Sequence, residues 1–304
     1  MQKLRAYLRL MRIPAVFTAM ADILLGFLLT HSSLLLDGCP LPFCLLLLCS
    51  SSLYLAGMIF NDVFDVAIDT IERPGRPIPS GDVPIRKAVL LGTALILVGL
   101  TSAVFVNLQA CLIALILTGA IFAYDGFLKK TRIGPVAMGS CRFLNVMLGC
   151  SAKTSFSEIW TAPNVNIALA LAVYIAGVTW FARNEATESD RRQLTLASVV
   201  ITAGLCGLLF LGINADYGVG GNAPPTRVSF AWFAIVLVIS RVMLQAISNP
   251  TPKRVQFAVK TMLQWLILLD ATMIYAATGD AVFAVATALL MAPMLLLGHW
   301  VYMT

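Results

Sequence analysis

Short basic loops divide the chain into ten apolar runs, near 14–33, 41–62, 88–106, 108–125, 134–151, 164–183, 194–213, 229–247, 256–277 and 280–302. A helix of about 20 apolar residues crosses the roughly 30 Å hydrocarbon core of a bilayer. The expected fold is therefore an all-α, polytopic membrane bundle of nine to ten transmembrane helices. The third and fourth runs are joined so tightly, through Asn107 to Gln109, that they must form a hairpin. The fifth is the least apolar because it holds Arg142 and Asn145, and the ninth carries Lys260 and Asp270. Composition agrees: of 304 residues, 59% are hydrophobic and only 12% charged. A soluble domain has about 45–50% and about 25%. One domain is expected over residues 1–304.

The six surplus positive charges do not point to nucleic acid, because they sit in loops between apolar runs. Lys3, Arg5, Arg9 and Arg12 lie before the first run, and Arg73, Arg76, Arg86 and Lys87 follow the second. Lys129, Lys130 and Arg132 follow the fourth, Arg183, Arg191 and Arg192 the sixth, and Arg241, Lys253, Arg254 and Lys260 flank the loop after the eighth. These are all even-numbered connections, so 18 of the 21 basic residues fall on one side. The positive-inside rule makes that side cytoplasmic. The N-terminus and the segments 63–87, 126–133 and 184–193 are then expected in the cytoplasm. The seven cysteines form no metal-ligand or redox spacing and read as small apolar packing residues. His31 and His299 lack acidic or cysteine neighbours and read as core or interfacial.

At the basic end of the second run the chain reads NDVFDVAIDTIERPGRPIPSG. At about 100° per residue, Asp62, Asp65 and Asp69 share a narrow helical stripe, with Asn61 at its margin. Three carboxylates on one face need positive charge among them, and such an oxygen-rich set suits a hard cation such as Mg²⁺, with Mn²⁺ as the alternative. Arg73-Pro-Gly-Arg76-Pro cannot continue a helix. It is expected as an extended strap holding two guanidiniums where they can grip phosphate oxygens. Ionisable groups at membrane depth are mostly functional.

This NDxxDxxxD…RPxRPIPSG pattern, carried by Asn61, Asp62, Asp65, Asp69, Arg73, Arg76, Ser80 and Gly81, resembles the UbiA superfamily of intramembrane prenyltransferases. The hydropathy profile fits that family along nearly the whole chain. Its usual core of nine helices implies that 280–302 is an additional C-terminal helix. The YDGFLKK segment resembles its tyrosine-to-lysine segment at Tyr124 and Lys129, with Asp125 where the family often has a small residue or proline. The YDxxLK and CRxLN segments resemble a UbiA-like branch encoded in bacterial and algal Ebo gene clusters. Arg142 and Asn145, at i and i+3, are expected to face the cavity, and Lys260 matches a lysine early in the family's ninth helix.

The family's second acidic stretch is altered here to ARNEATESD, with Arg183 and Ala186 where aspartates are usual. Glu185 and Glu188 can share a helical face at i and i+3, and with Asp190 are the remaining candidates for a second metal. The resemblance implies transfer of an isoprenyl group from an allylic diphosphate to a lipophilic acceptor, aromatic or lipid-like, in the bilayer. Metal binding would fall to Asp62, Asp65, Asp69, Glu185 and Glu188. Asp62, Asp65, Asp69 and Lys129 would be catalytic, and Asn61, Arg73, Arg76, Tyr124, Arg142, Asn145 and Arg183 would bind substrate. The rival readings are a catalytically weak or inactive isoprenoid-binding scaffold and a cation-coupled transporter. The transporter would be expected to show broken helices at mid-membrane and an internal repeat.

Overall fold

A computed structural model describes residues 2–31, 33–34, 38, 40–153, 155–185, 188–214 and 223–301. Every regular element among them is helical. Amphipathic α1 (Gln2–Leu10) leads through a 3₁₀ turn (Ile13–Ala15) into α2 (Val16–Leu28). The break falls at Arg12, whose φ of 44° is the left-handed region that a side chain rarely adopts. Then come α3 (Leu41–Phe64), short α4 (Val66–Glu72), the α5/α6 hairpin (Ile85–Val106, Leu108–Gly126) and α7 (Gly134–Cys150). After a one-turn α8 (Phe156–Ile159) follow α9 (Ala162–Phe181), α10 (Arg191–Asn214), α11 (Pro225–Ser248) and α12 (Pro252–Thr278). Two short pieces, α13 (Ala281–Ala288) and α14 (Met291–Gly298), end the described chain.

Among the described residues eight helices are long and apolar enough to cross a membrane, and nine if the N-terminal pair, bent by 44°, counts as one span. The ten spans read from hydropathy are therefore corrected at two places, while the last, read as 280–302, counts among the eight over Ala281–Gly298. The first, read as 14–33, holds only α2 and reaches a span's length together with α1 across the bend. The fifth, α7, is only 17 residues long. The hairpin forms as expected: Asn107 is extended, its Oδ1 accepts from Ala110 N at 2.8 Å, and its Nδ2 donates to Ser151 O at 2.7 Å. The same side chain thus caps α6 and ties the turn to the end of α7.

Short α7 is nonetheless central, packing on α2, α6 and α9. Its approach to α2 is set by glycines. A Cβ on Gly26 would lie 2.1 Å from Val146 O and 2.9 Å from Gly149 Cα. Backbones meet there directly, the small-residue packing that membrane helices use where apolar burial gives no driving force. This contact brings the polar residues of α7 onto α2. At the other end of the bundle, Ile78 and Val83 of the segment after α4 pack with Ala6 and Leu10 of α1 and Ile59 of α3. α14 closes over the N-terminal turn, burying Met294 with Ala15, Ala21 and Ile267.

Candidate functional site

The acidic motif sits at a joint. α3 stops at Phe64, and Asp65, at φ −91° and ψ 1°, is both its last cap and the start of α4. Short acidic side chains favour such helix ends, so the single stripe expected for Asp62, Asp65 and Asp69 is broken in the middle. The chain beyond α4 is also not extended. It folds into successive turns, with Arg76 N bonded to Arg73 O, Ser80 N to Arg76 O and Val83 N to Pro77 O. These turns put Arg76 inside, not along a strap.

The consequence is a set of ion pairs. Arg76 Nη1 reaches Asp62 Oδ1 at 3.2 Å and Asp69 Oδ2 at 2.5 Å. Arg12, the residue at the bend, reaches the same Asp62 oxygen at 3.1 Å. Lys129, on the 3₁₀ turn Leu128–Lys130 after α6, pairs with Asp65 Oδ2 at 2.7 Å. Asp62, Asp69 and Arg76 are all buried. Arg76 therefore spans two aspartates and belongs to the scaffold of the site, whereas Arg73 is exposed and lines its cavities.

Three cavities lie in series. The outermost, about 420 Å³, is lined by Asp65, Asp69, Glu72, Arg73, Lys129 and Arg183, among others. Arg73, Tyr124, Thr179 and Ala182 also line the next cavity, about 260 Å³, whose walls include Ile175, Val178, Val259 and Leu263. Tyr54, Met58, Tyr124, Met138 and Arg142 continue into a third, about 90 Å³. Tyr124 lines all three. A charged chamber thus opens past Arg73 and Tyr124 into space that is mostly apolar, with Arg12, Arg142 and Glu185 also in its walls.

The second acidic segment divides. α9 runs into a 3₁₀ turn (Ala182–Asn184), Glu185 lies in the turn after it, and Gln256 Nε2 of α12 donates to the Glu185 carbonyl at 3.2 Å. Glu185 lines the 260 Å³ cavity, and its Oε2 is buried without a hydrogen-bond partner. Burial pushes its pKa above the ordinary glutamate value, against the pull of Arg73 and Arg12. Glu188 is exposed and lines none of the three cavities, so the shared helical face expected for the two glutamates is not formed. Asp190 caps α10 by accepting from Arg192 N at 3.0 Å. Ala186 lies outside the described residues. Lys260 is exposed.

Arg142 and Asn145 border the inner cavities, but their polar atoms are turned to α2. Arg142 donates to Asp22 and to Thr18 O (3.1 Å), and Asn145 donates to Asp22 Oδ2 at 2.8 Å and Ala19 O at 3.0 Å while accepting from Ser50. Asp270 of α12 faces Asp22, both fully buried, and neither Asp270 oxygen has a donor. The expected cavity-facing pair is thus tied into an interhelical network. Sequence reasoning passed over Asp22, although a lone aspartate within an apolar run is itself a signal. It also passed over Glu72, one turn beyond Asp69 on α4.

Among the described residues, no three His, Cys, Asp or Glu side chains converge as a ready metal cage. The donors still fit a hard divalent cation. Asp65 and Asp69 line a wet chamber, Glu185 offers an unpartnered oxygen nearby, and Mg²⁺ needs few carboxylates when water and phosphate complete its sphere.

A family model described as the UbiA prenyltransferase family matches residues 19–249. Digeranylgeranylglyceryl phosphate synthase of Saccharolobus solfataricus is 34% identical over 159 residues, 52% of this chain and 54% of the relative. That of Sulfurisphaera tokodaii is 35% identical over 126 residues, 41% and 44% of the two chains. The chain thus spans about half the length of the curated relatives it matches. In structure, a UbiA homolog from Archaeoglobus fulgidus bound to DMAPP and Mg²⁺ superposes with a TM-score of 0.65 at 16% identity, covering 93% of this chain and 98% of that one. A UbiA homolog from Aeropyrum pernix K1 gives 0.66 at 18%, covering 86% and 96%. The broken acidic helix, the cavities behind it and a family match over most of the chain have one common reading: this protein is a member of the UbiA prenyltransferase family.

Proposed function

We propose that the protein is a membrane-embedded prenyltransferase that moves an isoprenyl group from an allylic diphosphate to a lipophilic acceptor, with a divalent metal, Mg²⁺ or Mn²⁺. The observation that carries this reading is the charged 420 Å³ chamber opening past Arg73 and Tyr124 into mostly apolar cavities. An amphiphile with an anionic head and a hydrocarbon tail matches that division. The relatives named as digeranylgeranylglyceryl phosphate synthases, and the homolog bound to DMAPP and Mg²⁺, support it.

Asp65 and Asp69 would hold the metal, with Asp62 behind them and Glu185 in the lining of the adjoining cavity. When bound, it supplies positive charge to diphosphate oxygens and so favours scission of the allylic C–O bond. Arg73, Lys129 and Arg183, in the chamber lining, add fixed charge where the leaving group's negative charge develops. Arg12 and Arg76 hold Asp62 and Asp69 in place. Ile175, Val178, Val259 and Leu263 keep water from the allylic carbon. The 18 basic residues read onto one side of the sequence-derived topology support a cytoplasmic chamber. A membrane-impermeant thiol reagent should therefore not reach a single cysteine placed in 63–87 in intact cells.

Calorimetry with geranyl diphosphate tests the function. Binding should require Mg²⁺ and vanish in chelator, and pyrophosphate should be released on adding an acceptor. Equal affinity in chelator would refute the metal-dependent reading. Metal-dependent binding with no turnover for any acceptor would leave an isoprenoid-binding scaffold.

A further inference from the structure

Capture of an allylic carbon by an acceptor leaves one proton to be removed, and the reading above names no group to take it. The carboxylates of the motif are poorly suited, since Asp62, Asp65 and Asp69 each face an arginine or lysine. Asp22 is engaged by Arg142 and Asn145. Asp125, at the end of α6, is different. It is buried and makes no ion pair among the described residues. Asn61 Nδ2 donates to its Oδ1 at 2.8 Å, which fixes the carboxyl plane. Among the described residues no hydrogen bond reaches its other oxygen, and Asp125 is in the lining of the 90 Å³ pocket. Tyr124, its neighbour in sequence, stands at the junction of that pocket with the diphosphate chamber.

The size of the pocket restricts what can enter. A cavity of about 150 Å³ holds benzene, and a water molecule occupies about 30 Å³ of liquid. The 90 Å³ beside Asp125 therefore takes a hydroxyl and the few atoms next to it, the rest of an acceptor lying in the adjoining 260 Å³ cavity, which shares Tyr54, Met58, Tyr124, Met138 and Arg142 with it. The hydrocarbon donor tail lies along the Ile175, Val178, Val259 and Leu263 wall of that cavity.

We propose that Asp125 is the proton acceptor of the transfer, taking the proton of the acceptor's hydroxyl group. The inference rests on the prenyltransferase reading. The allylic C–O bond to diphosphate breaks, its electron pair leaving with the diphosphate. A lone pair of the hydroxyl oxygen forms the new C–O bond. The O–H bond breaks, its pair stays on the ether oxygen, and its proton passes to the free oxygen of Asp125. Asn61 acts as the positioning residue for that carboxylate.

The test uses the full chain in detergent with geranyl diphosphate, Mg²⁺ and either 1-octanol or 4-octylphenol. Donor affinity is measured by calorimetry, and ether, geraniol and pyrophosphate are measured separately. Asp125→Asn keeps the shape and the oxygen that accepts from Asn61, so donor affinity should stay within about twofold of the parent. The geranyl ether of either acceptor should fall by about a hundredfold or more, the usual range for losing a general base, and the residual products should shift toward geraniol, from capture by water. Asp125→Ala should do the same, which separates a lost base from a misplaced amide. Ether formation by Asp125→Asn at the parental rate, with either acceptor, overturns the assignment. Failure of the parent to bind the donor in Mg²⁺ refutes instead the reading beneath it and removes the inference as well.

Discussion

Replacing Asp22 or Asp270 by asparagine removes one buried carboxyl in either case, yet the two changes should differ widely in stability. The Asp22 side chain is fully buried, and its guanidinium partner on Arg142 is only 12% exposed. Asp22→Asn keeps the shape but takes from that guanidinium the carboxylate it is hydrogen-bonded to, leaving only Asp270, which makes no hydrogen bond to it. The loss should approach the about 3–5 kcal/mol of a broken buried pair. At about 1.4 kcal/mol per factor of ten, the unfolding equilibrium should shift by roughly two to three and a half orders of magnitude. Asp270, in contrast, faces Asp22 with no donor on either oxygen. An amide at position 270 keeps the shape and brings a donor to the side of Asp22, whose Oδ1 has none. Asp270→Asn should thus change stability by less than about 0.5 kcal/mol, the range of an innocuous substitution. The assay is titration of the purified protein from mild detergent into SDS, followed by circular dichroism. The combination Asp22→Asn with Arg142→Met should recover most of the loss, because it removes the orphaned charge. Equal losses for Asp22→Asn and Asp270→Asn, or a double variant no more stable than Asp22→Asn, would refute the account of this network.

Gly26→Ala should destabilise by about 1–3 kcal/mol through overpacking, since its Cβ would lie 2.1 Å from Val146 O. Gly119→Ala, with nothing within 4 Å, should be neutral or slightly stabilising in the same titration. Arg76→Ala, which strips Asp62 and Asp69 of their buried partner, should lower stability by several kcal/mol. Arg73→Ala should leave stability unchanged and weaken geranyl diphosphate binding by about tenfold or more, as expected for a charged hydrogen bond to phosphate worth about 1.5–3 kcal/mol. Glu185→Gln should reduce Mg²⁺-dependent binding of the same ligand in calorimetry, because its carboxylate lies in the cavity wall. Glu188→Gln, at an exposed position, should not, and equal effects would contradict the division drawn between them.

What the sequence disclosed was what depends on local spacing. Runs of twenty apolar residues, a cap such as Asn107 and a motif read along one helix all depend on neighbours in the chain, and the helices stand close to where hydropathy put them. What it concealed was where helices meet. Nothing in the order of residues says that Gly26 and Gly149 let two backbones touch, and that contact alone turns Arg142 and Asn145 from the cavity toward Asp22. Arg12 shows the same limit: it reads as one of several N-terminal basic anchors, but the bend at its own φ of 44° carries it to Asp62. Backbone strain of this kind is retained where the surroundings over-determine it, here by an aspartate 50 positions away.

These pairings also bear on how such a site would discriminate under the proposed function. Arg12, Arg76 and Lys129 already satisfy the three aspartates of the motif, so a divalent ion arriving alone must compete with fixed cations for each carboxylate. A diphosphate arriving alone meets Asp65, Asp69 and Glu72 in the same lining as Arg73, Lys129 and Arg183. Each ligand by itself therefore confronts like charge in the lining, and Coulomb repulsion opposes its entry. Together they nearly cancel, the ion facing the acids and the phosphates facing the bases. Binding each favours binding the other, and by linkage the coupling is the same in both directions. An interleaved pattern of acids and bases thus selects the metal–diphosphate pair over either component, which a chamber of one sign could not do.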